Sequence, residues 1–371
     1  MKNKILTALI LVLITASCAA QKRDSLDLKI AQMLLIGFRG MSLPDNDPFL
    51  RYVREGRVGN VILFDFDVPT KAYKRNIESP QQVRTLTAQL SKAASQSGTG
   101  LPLFISIDQE GGKVNRLKEK YGFAPSVSQQ YLGKINNPDT THRYAAKTAQ
   151  TLADNGFNLN FAPSVDVNVN PENPVIGKIE RSFSAEPSIV AAQAEIIVEE
   201  HRKKGLVTTL KHFPGHGSSK ADSHKGFVDV SDSWRPDEST PYATLIAAGK
   251  VDMIMTAHIF NNRLDADVPA TLSKRVITGI LRDSLKYQGV VISDDMQMGS
   301  IADHYGLDVA LEKCINAGVD ILCFGNNLQY DPDIITKATS IIRRLVKEGK
   351  IKEARIDESY KRIVALKRKI Q

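Results

Sequence analysis

Lys211, His212, His216, Asp222 and His224 fall within fourteen residues of one another in the stretch LVTTLKHFPGHGSSKADSH, 206–224. Its first five residues are apolar or β-branched and read as a buried strand, after which the chain breaks into a polar loop. His212 and His216 have the spacing of a helical metal pair, but Pro214-Gly215 between them rules out a helix there. Polar groups crowded just past the end of a strand are what a catalytic loop looks like; the plainer alternative is a loop of caps and turns. Asp222, two residues before His224, is placed to orient that imidazole and raise its basicity. A second reactive position is Asp294 in GVVISDDMQMG, 289–299, directly after apolar strand residues. A carboxylate held there can serve as nucleophile, base or metal ligand. Asp295 should point elsewhere, because strand side chains alternate, and either aspartate could instead cap a helix starting near Met296. One carboxylate and one proton carrier are the minimum for a two-step glycosyl transfer.

Strands and helices must bring these groups together. Apolar runs predict strands at 33–38, 58–64, 103–107, 159–163, 206–210, 253–256, 290–293 and 321–324. Helical segments lie between them, among them 80–95, 139–155, 188–204, 273–285 and 301–317. Ser79 and Ser273 read as N-caps, Pro80 as a first helical residue, and Gly156, Gly205 and Gly318 as C-terminal glycines. Eight strands alternating with helices predict a single-domain (β/α)8 barrel, with a doubly wound open sheet as the competitor. The polar residues favour the barrel. Asp108, Asp166, Lys211 with His212, His258, Asp294 and Asn326 each sit at or just past a strand's C-terminal end. Only in a barrel do those ends converge on one mouth.

Composition is that of a globular protein: 371 residues, 42% hydrophobic and 24% charged. The first twenty residues read as a secretory signal, with Lys2 and Lys4 before an apolar run at 5–14 that is too short to span a membrane. Ala16-Ser17-Cys18 forms a loose lipobox with Thr15 where leucine is usual, so Cys18 is the expected site of lipidation; cleavage after Ala20 is the alternative. The expected location is therefore outside the cytoplasm, on a membrane, periplasmic or associated with the outer membrane. Cys314 and Cys323 read as buried small hydrophobes. Residues 337–371 hold 12 Lys and Arg against 4 Asp and Glu, while the rest of the chain holds 37 of each, so the net charge of +8 has one source. This tail reads as two solvated terminal helices, with attraction to an anionic envelope or acidic glycan as the alternative. No motif or aromatic interleaving points to nucleic acid.

In chain order the sequence carries MLLIGFRG (33–40), GRVGNVILFDFDV (56–68), SIDQEGGKVNRL (106–117), NLNFAPSVDVN (158–168), NPVIG (173–177), RSFS (181–184), KHFPGHG (211–217), DSH (222–224), MTAHI (255–259) and ISDDMQMG (292–299). In these it resembles the single-domain β-N-acetylglucosaminidases of glycoside hydrolase family 3, over almost all of residues 21–371. The resemblance implies a retaining exo-hydrolase of terminal β-linked N-acetylglucosamine, with peptidoglycan fragments (muropeptides) as the expected glycan and neither cofactor nor metal. It implies Asp294 as nucleophile and His224, oriented by Asp222, as general acid/base. Asp108, Arg116, Arg181, Lys211 and His212 would bind sugar hydroxyls, for which charge-assisted hydrogen bonds are suited; an ion pair between loops is the alternative use of the two arginines. His216 and His258 read as structural. Lys113, Ser218-Ser219, Phe227-Val228 and the intervening Lys178, Ile179 and Glu180 depart from the family's pattern. Other family 3 activities (β-glucosidase or glycoside phosphorylase), a metal-dependent barrel hydrolase using His212, His216, Asp222, His224 and Asp294, and a non-catalytic glycan-binding lipoprotein are the rival readings.

Overall fold

The computed structural model describes residues 26–370; the signal and Cys18 lie outside them. Eight parallel strands close into a barrel: β1 (Leu34–Gly37), β2 (Asn60–Ile62), β5 (Phe104–Ile107), β6 (Leu159–Asn160), β7 (Val207–Phe213), β8 (Met253–Thr256), β9 (Val290–Asp295) and β10 (Ile321–Phe324). Around the barrel they run β1-β10-β9-β8-β7-β6-β5-β2, and β1 pairs with both β2 and β10. The remaining strands, β3 (Phe66–Asp67) and β4 (Ala72–Tyr73), form a two-stranded antiparallel ribbon in the loop after β2. The barrel expectation holds and the open sheet does not. Strands buried on both faces explain their continuous apolar sequences, such as Leu34, Leu35 and Ile36.

Helices cover the outside and start where their caps place them. Ser79 accepts from the Gln82 N–H ahead of Pro80–Ser95, and Asn137 accepts from the Thr140 N–H ahead of Pro138–Asp154. Ser273 accepts from the Val276 N–H at 3.1 Å, and the helix that follows, Arg275–Ser284, is wound with the wider i→i+5 bonding. Gly156, Gly205 and Gly318 have φ of +77°, +69° and +115°, which L side chains rarely adopt.

Strands β2 and β6 are shorter than the apolar runs 58–64 and 159–163 suggested, and two further elements differ from the sequence reading. The segment expected as one helix over 301–317 is two, Gly299–Ala302 and Leu307–Ala317, because Gly306 caps the second and restarts the chain direction. Strand β7 continues through Lys211, His212 and Phe213 instead of breaking after Leu210. Its pairing with β8 shifts register between Leu210 and Phe213. Cys314 and Cys323 are free and buried.

The chain's last two helices, Ile334–Lys347 and Glu353–Lys367, bury Ile342, Leu345, Ile363 and Leu366. The second lies across the barrel floor, the end where strands begin. Arg355, Ser359 and Arg362 all donate to Oδ1 of Asp320, just before β10. Lys367 is fully buried and donates to Gln32 Oε1 (2.7 Å) and to the Gly59 carbonyl (2.6 Å). Part of the tail's charge is thus structural and not solvated. Among the described residues no helix is long and apolar enough to cross a membrane.

Candidate active site

At the opposite end, the C-terminal ends of the strands open into a cleft of about 300 Å³. Asp108, Arg116, Arg181, Lys211, His212, His224 and Asp294 all line it. Asp222 stands behind His224. A larger cleft, about 500 Å³, lies at the barrel floor among Lys286, Lys361 and Lys369; charge and reactive groups, not size, mark the mouth as the place for chemistry.

Strand ends supply four of the mouth residues, and loops supply Arg116, Arg181 and His224. Asp108 follows β5, Lys211 and His212 end β7, and Asp294 ends β9. The shifted register in β7 lets two consecutive residues, Lys211 and His212, both line the cleft despite strand alternation. They join a chain of buried charges. Lys211 Nζ donates to Asp108 Oδ1 (2.9 Å) and Glu110 Oε1 (2.6 Å). Arg181 holds Glu110 with two parallel bonds, Nε to Oε2 at 2.9 Å and Nη2 to Oε1 at 2.8 Å. The same Nη2 lies 3.1 Å from His212 Nε2, and His212 Nδ1 lies 2.6 Å from Asp166 Oδ2. Because guanidinium only donates, His212 Nε2 accepts and Nδ1 carries the proton toward Asp166. Burial works to raise the pKa of Glu110, but Arg181 and Lys211 outweigh it and hold the carboxyl below its usual range. In the same way Arg181 is raised, burial being outweighed by Glu110. Asp166, fully buried, is held low against its burial by His212 and His216.

Arg116 is different. Its amino groups stand 3.9 Å from both Asp65 and Asp108, beyond hydrogen-bond reach, and its side chain is 28% exposed. That guanidinium lines the cleft with uncommitted donors, its central carbon 5.9 Å from the centre of the Phe64 ring.

Asp294 is surrounded by imidazoles. Burial would raise its pKa, yet His258, His212 and His224, with the Asp295 N–H donating at 2.8 Å, bring it to about 2. Asp295 goes the other way, pushed up to about 6 by burial and by the neighbouring Asp294. It also lines the cleft, so the expectation that it points away is only half met: its Oδ1 turns back to accept the Gln297 N–H.

The Asp222–His224 pair sits on the loop after β7. Asp222 Oδ1 is 2.8 Å from His224 Nδ1 and also accepts the His224 N–H at 3.0 Å. The imidazole is 46% exposed. Burial lowers its pKa, but the Asp222 bond and the charge of Asp294 overcome that, and the ring titrates above its ordinary value. The same bond holds Asp222 near 2. Ser223 pins the loop from beneath, its Oγ 3.1 Å from His216 Nε2. The His224 carbonyl accepts the Gly299 N–H, docking the loop on the segment that follows Asp294.

His216 and His258 hold structure, as their positions suggested. His258 joins Thr271 Oγ1 to the Asp295 carbonyl, and the His216 N–H donates to Asp166. Among the described residues no group of three or more His, Cys, Asp or Glu is arranged to hold a metal ion. Glu110 and Asp65 escaped notice in the sequence. Glu110 stands in a motif whose Asp108 drew attention, and only its burial with Lys211 and Arg181 reveals its part. Of the departures from the family pattern, Ile179 lines the cleft, Lys113 Nζ donates to the Lys178 carbonyl (2.9 Å), and Phe227 rests on Phe260 and His304.

The sequence profile of the Glycosyl hydrolase family 3 N terminal domain matches residues 25–366. Beta-hexosaminidase A of Pseudoalteromonas piscicida is 35% identical over 333 residues, covering 84% of this chain but 54% of that protein. Beta-hexosaminidase of Xylella fastidiosa (strain M23) is 33% identical over 317 residues, covering 84% of this chain and 87% of the relative. The structure of a glycoside hydrolase family 3 beta-N-acetylglucosaminidase from Paenibacillus sp. str. FPU-7 superposes with a TM-score of 0.84 at 34% identity, over 94% of this chain and 63% of that one. Beta-N-acetylhexosaminidase from Beutenbergia cavernae DSM 12333 gives 0.80 at 26% identity, over 93% and 98%. The chain thus spans about half the length of one curated relative and most of another. With the barrel, its mouth and a profile match over nearly every described residue in agreement, the chain belongs to glycosyl hydrolase family 3.

Proposed function

We propose that the protein is a retaining exo-β-N-acetylglucosaminidase that removes terminal β-linked N-acetylglucosamine, with peptidoglycan fragments as its source. The observation that carries the reading is His224, backed by Asp222, in the same cleft as an ionised, half-buried Asp294. Similarity to proteins named beta-hexosaminidase and beta-N-acetylglucosaminidase supports the sugar.

Asp294, charged at neutral pH, attacks the anomeric carbon while His224, holding a proton because Asp222 and Asp294 favour it, passes that proton to the leaving oxygen. The neutral imidazole then takes a proton from water, which displaces Asp294 from the sugar. Arg116 and Asp108 take sugar hydroxyls. Lys211, Glu110, Arg181, His212 and Asp166 form the fixed base of the cleft; His212, with both nitrogens engaged, acts by holding Arg181.

The test separates the two roles. With a dinitrophenyl leaving group, which needs no proton, His224→Ala forms the glycosyl-enzyme readily and hydrolyses it slowly, giving a burst, whereas Asp294→Ala forms none. The first product of the wild type keeps its anomeric configuration, because two inversions cancel. An inverted product, or a glycosyl-enzyme on Asp294→Ala, overturns the mechanism. Faster turnover of the nitrophenyl glucoside, or acceleration by phosphate, moves the activity elsewhere in the family.

We also infer that residues 1–20 hold a lipoprotein export signal cleaved before Cys18, the lipidated residue, and that residues 21–371 are the catalytic domain, so that the enzyme works outside the cytoplasm on a membrane.

A further inference from the structure

We propose that the barrel floor, the end opposite the catalytic mouth, is a docking face for an anionic lipid surface, and that it holds the mouth turned away from that surface. The orientation rests on the reading of Cys18 as a lipid anchor; the charge-driven docking does not.

Three observations converge on the floor. The first is where the charge lies. Residues 359–371 contain no Asp or Glu, and 359–367 of them form the second half of the helix that crosses the floor. The acids in its first half are engaged, Glu353 and Asp357 by Lys29 and Glu358 by Arg355.

The second is the cleft of about 500 Å³ between this helix and the beginnings of β8 and β9. Lys286, Lys361 and Lys369 line it, all exposed, and none makes a side-chain hydrogen bond or ion pair among the described residues. The other charged groups there are committed: Asp252 to Arg202 at 2.8 Å and Arg362 to Asp320 at 3.2 Å. The cleft therefore presents three uncompensated ammonium groups that the fold does not use. They are flexible point charges on separate stems, and the guanidinium in the lining, Arg362, is held by Asp320. Arg368 extends the same charge beyond the cleft, over the exposed end of the helix. A charged plane of this kind suits a layer of phosphate headgroups, whose potential attracts basic groups within about a Debye length.

The third is the route of the N-terminus. The helix Leu26–Gln32 is fastened to the last two helices, by Lys29 to Asp357 (2.6 Å) and by Arg343 to Asp27 (3.3 Å). Cys18 lies eight residues before Leu26, at most about 28 Å of extended chain. An anchor there tethers the basic end and leaves the mouth free.

The test uses the chain from residue 21, which carries every described element and no acyl group, in vesicle flotation. It binds phosphatidylcholine vesicles containing phosphatidylglycerol, does not bind pure phosphatidylcholine vesicles, and is released by salt. Lys286→Glu, Lys361→Glu and Lys369→Glu combined lower its affinity at least tenfold while turnover of a soluble nitrophenyl glycoside is unchanged. Lys92→Glu, Lys147→Glu and Lys313→Glu combined, an equal charge change on the flanking helices, leave binding in place. Absence of binding, equal binding to neutral vesicles, or equal loss in both triple variants overturns the proposal. Competition by inorganic phosphate at constant ionic strength also overturns it, in favour of a small-anion site. None of these outcomes touches the glycosidase reading, which the nitrophenyl assay reports by itself.

Discussion

His224 holds its proton because two carboxylates, Asp222 in contact and Asp294 across the cleft, outweigh the cost of partial burial. With His224 as the proposed general acid, a substrate with a poor leaving group needs its proton, and the alkaline limb of kcat/KM is expected to follow its pKa, above the ordinary 6.5. Asp222→Asn removes the bonded charge and moves that limb to lower pH, while the acid limb, set by Asp294 near 2, stays outside the usual range. A pH–rate profile of the two proteins checks this, and an unmoved limb means that Asp222 does not tune the imidazole. Arg116 makes a second case. Its donors are uncommitted, so Arg116→Ala loses a charge-assisted bond to substrate and little structure. The expected loss in kcat/KM is about 2–4 kcal/mol, roughly 30- to 1000-fold, with an almost unchanged thermal midpoint.

Strand β7 and the last helix show how an element carries charge into the interior. At the end of β7, Lys211 meets Asp108 and Glu110, and Glu110 in turn balances Arg181. Replacing Glu110 with Gln leaves two buried cations short of a counter-charge. The expected destabilisation is about 3–5 kcal/mol in urea unfolding, far more than an exposed pair would cost. At the floor, Lys367 is buried without a carboxylate partner, and burial lowers its pKa from 10.5 to about 7. Between those values the unfolded chain binds the proton and the folded one does not, so stability rises with pH across that window. Wild type minus Lys367→Met, measured by urea unfolding at pH 7 and pH 10, should therefore grow by about 2–4 kcal/mol in favour of the wild type. A flat difference means that the amine stays charged inside the fold.

At the scale of the whole molecule, the barrel has one catalytic end and one basic end, and the N-terminal helix joins the chain to the basic one. The proposed lipidation of Cys18 would make location depend on a single sulfur. One acyl chain binds membranes only marginally, so stable anchoring needs the several chains of a bacterial lipoprotein. Cys18→Ala should move the protein from the detergent phase to the aqueous phase of a detergent partition. Wild-type protein found in the aqueous phase removes the anchor from the account.

Periodicity and turn chemistry were enough to read the strands, most helix ends and the barrel, because each is decided by neighbours within a few residues: Ser79 caps its own helix, and Gly318 ends its own. The mouth was legible for the same reason. In a parallel barrel every strand end points one way, so Asp108, Lys211 and Asp294 had to meet once the strands were found. What the sequence could not carry depends on contacts between distant segments. Glu110 reads as one more acid in a glycine-rich loop until Lys211 and Arg181, 101 and 71 residues away, close on it. Lys211 and His212 both reach the cleft only because β7 slips against β8. The basic tail reads as solvated surface, and only packing across the floor shows that Lys367 is buried while Lys361 and Lys369 stay free. Local pattern settles the conformation of a segment; which charges lose water, and which keep it, is settled by what the rest of the chain lays over them.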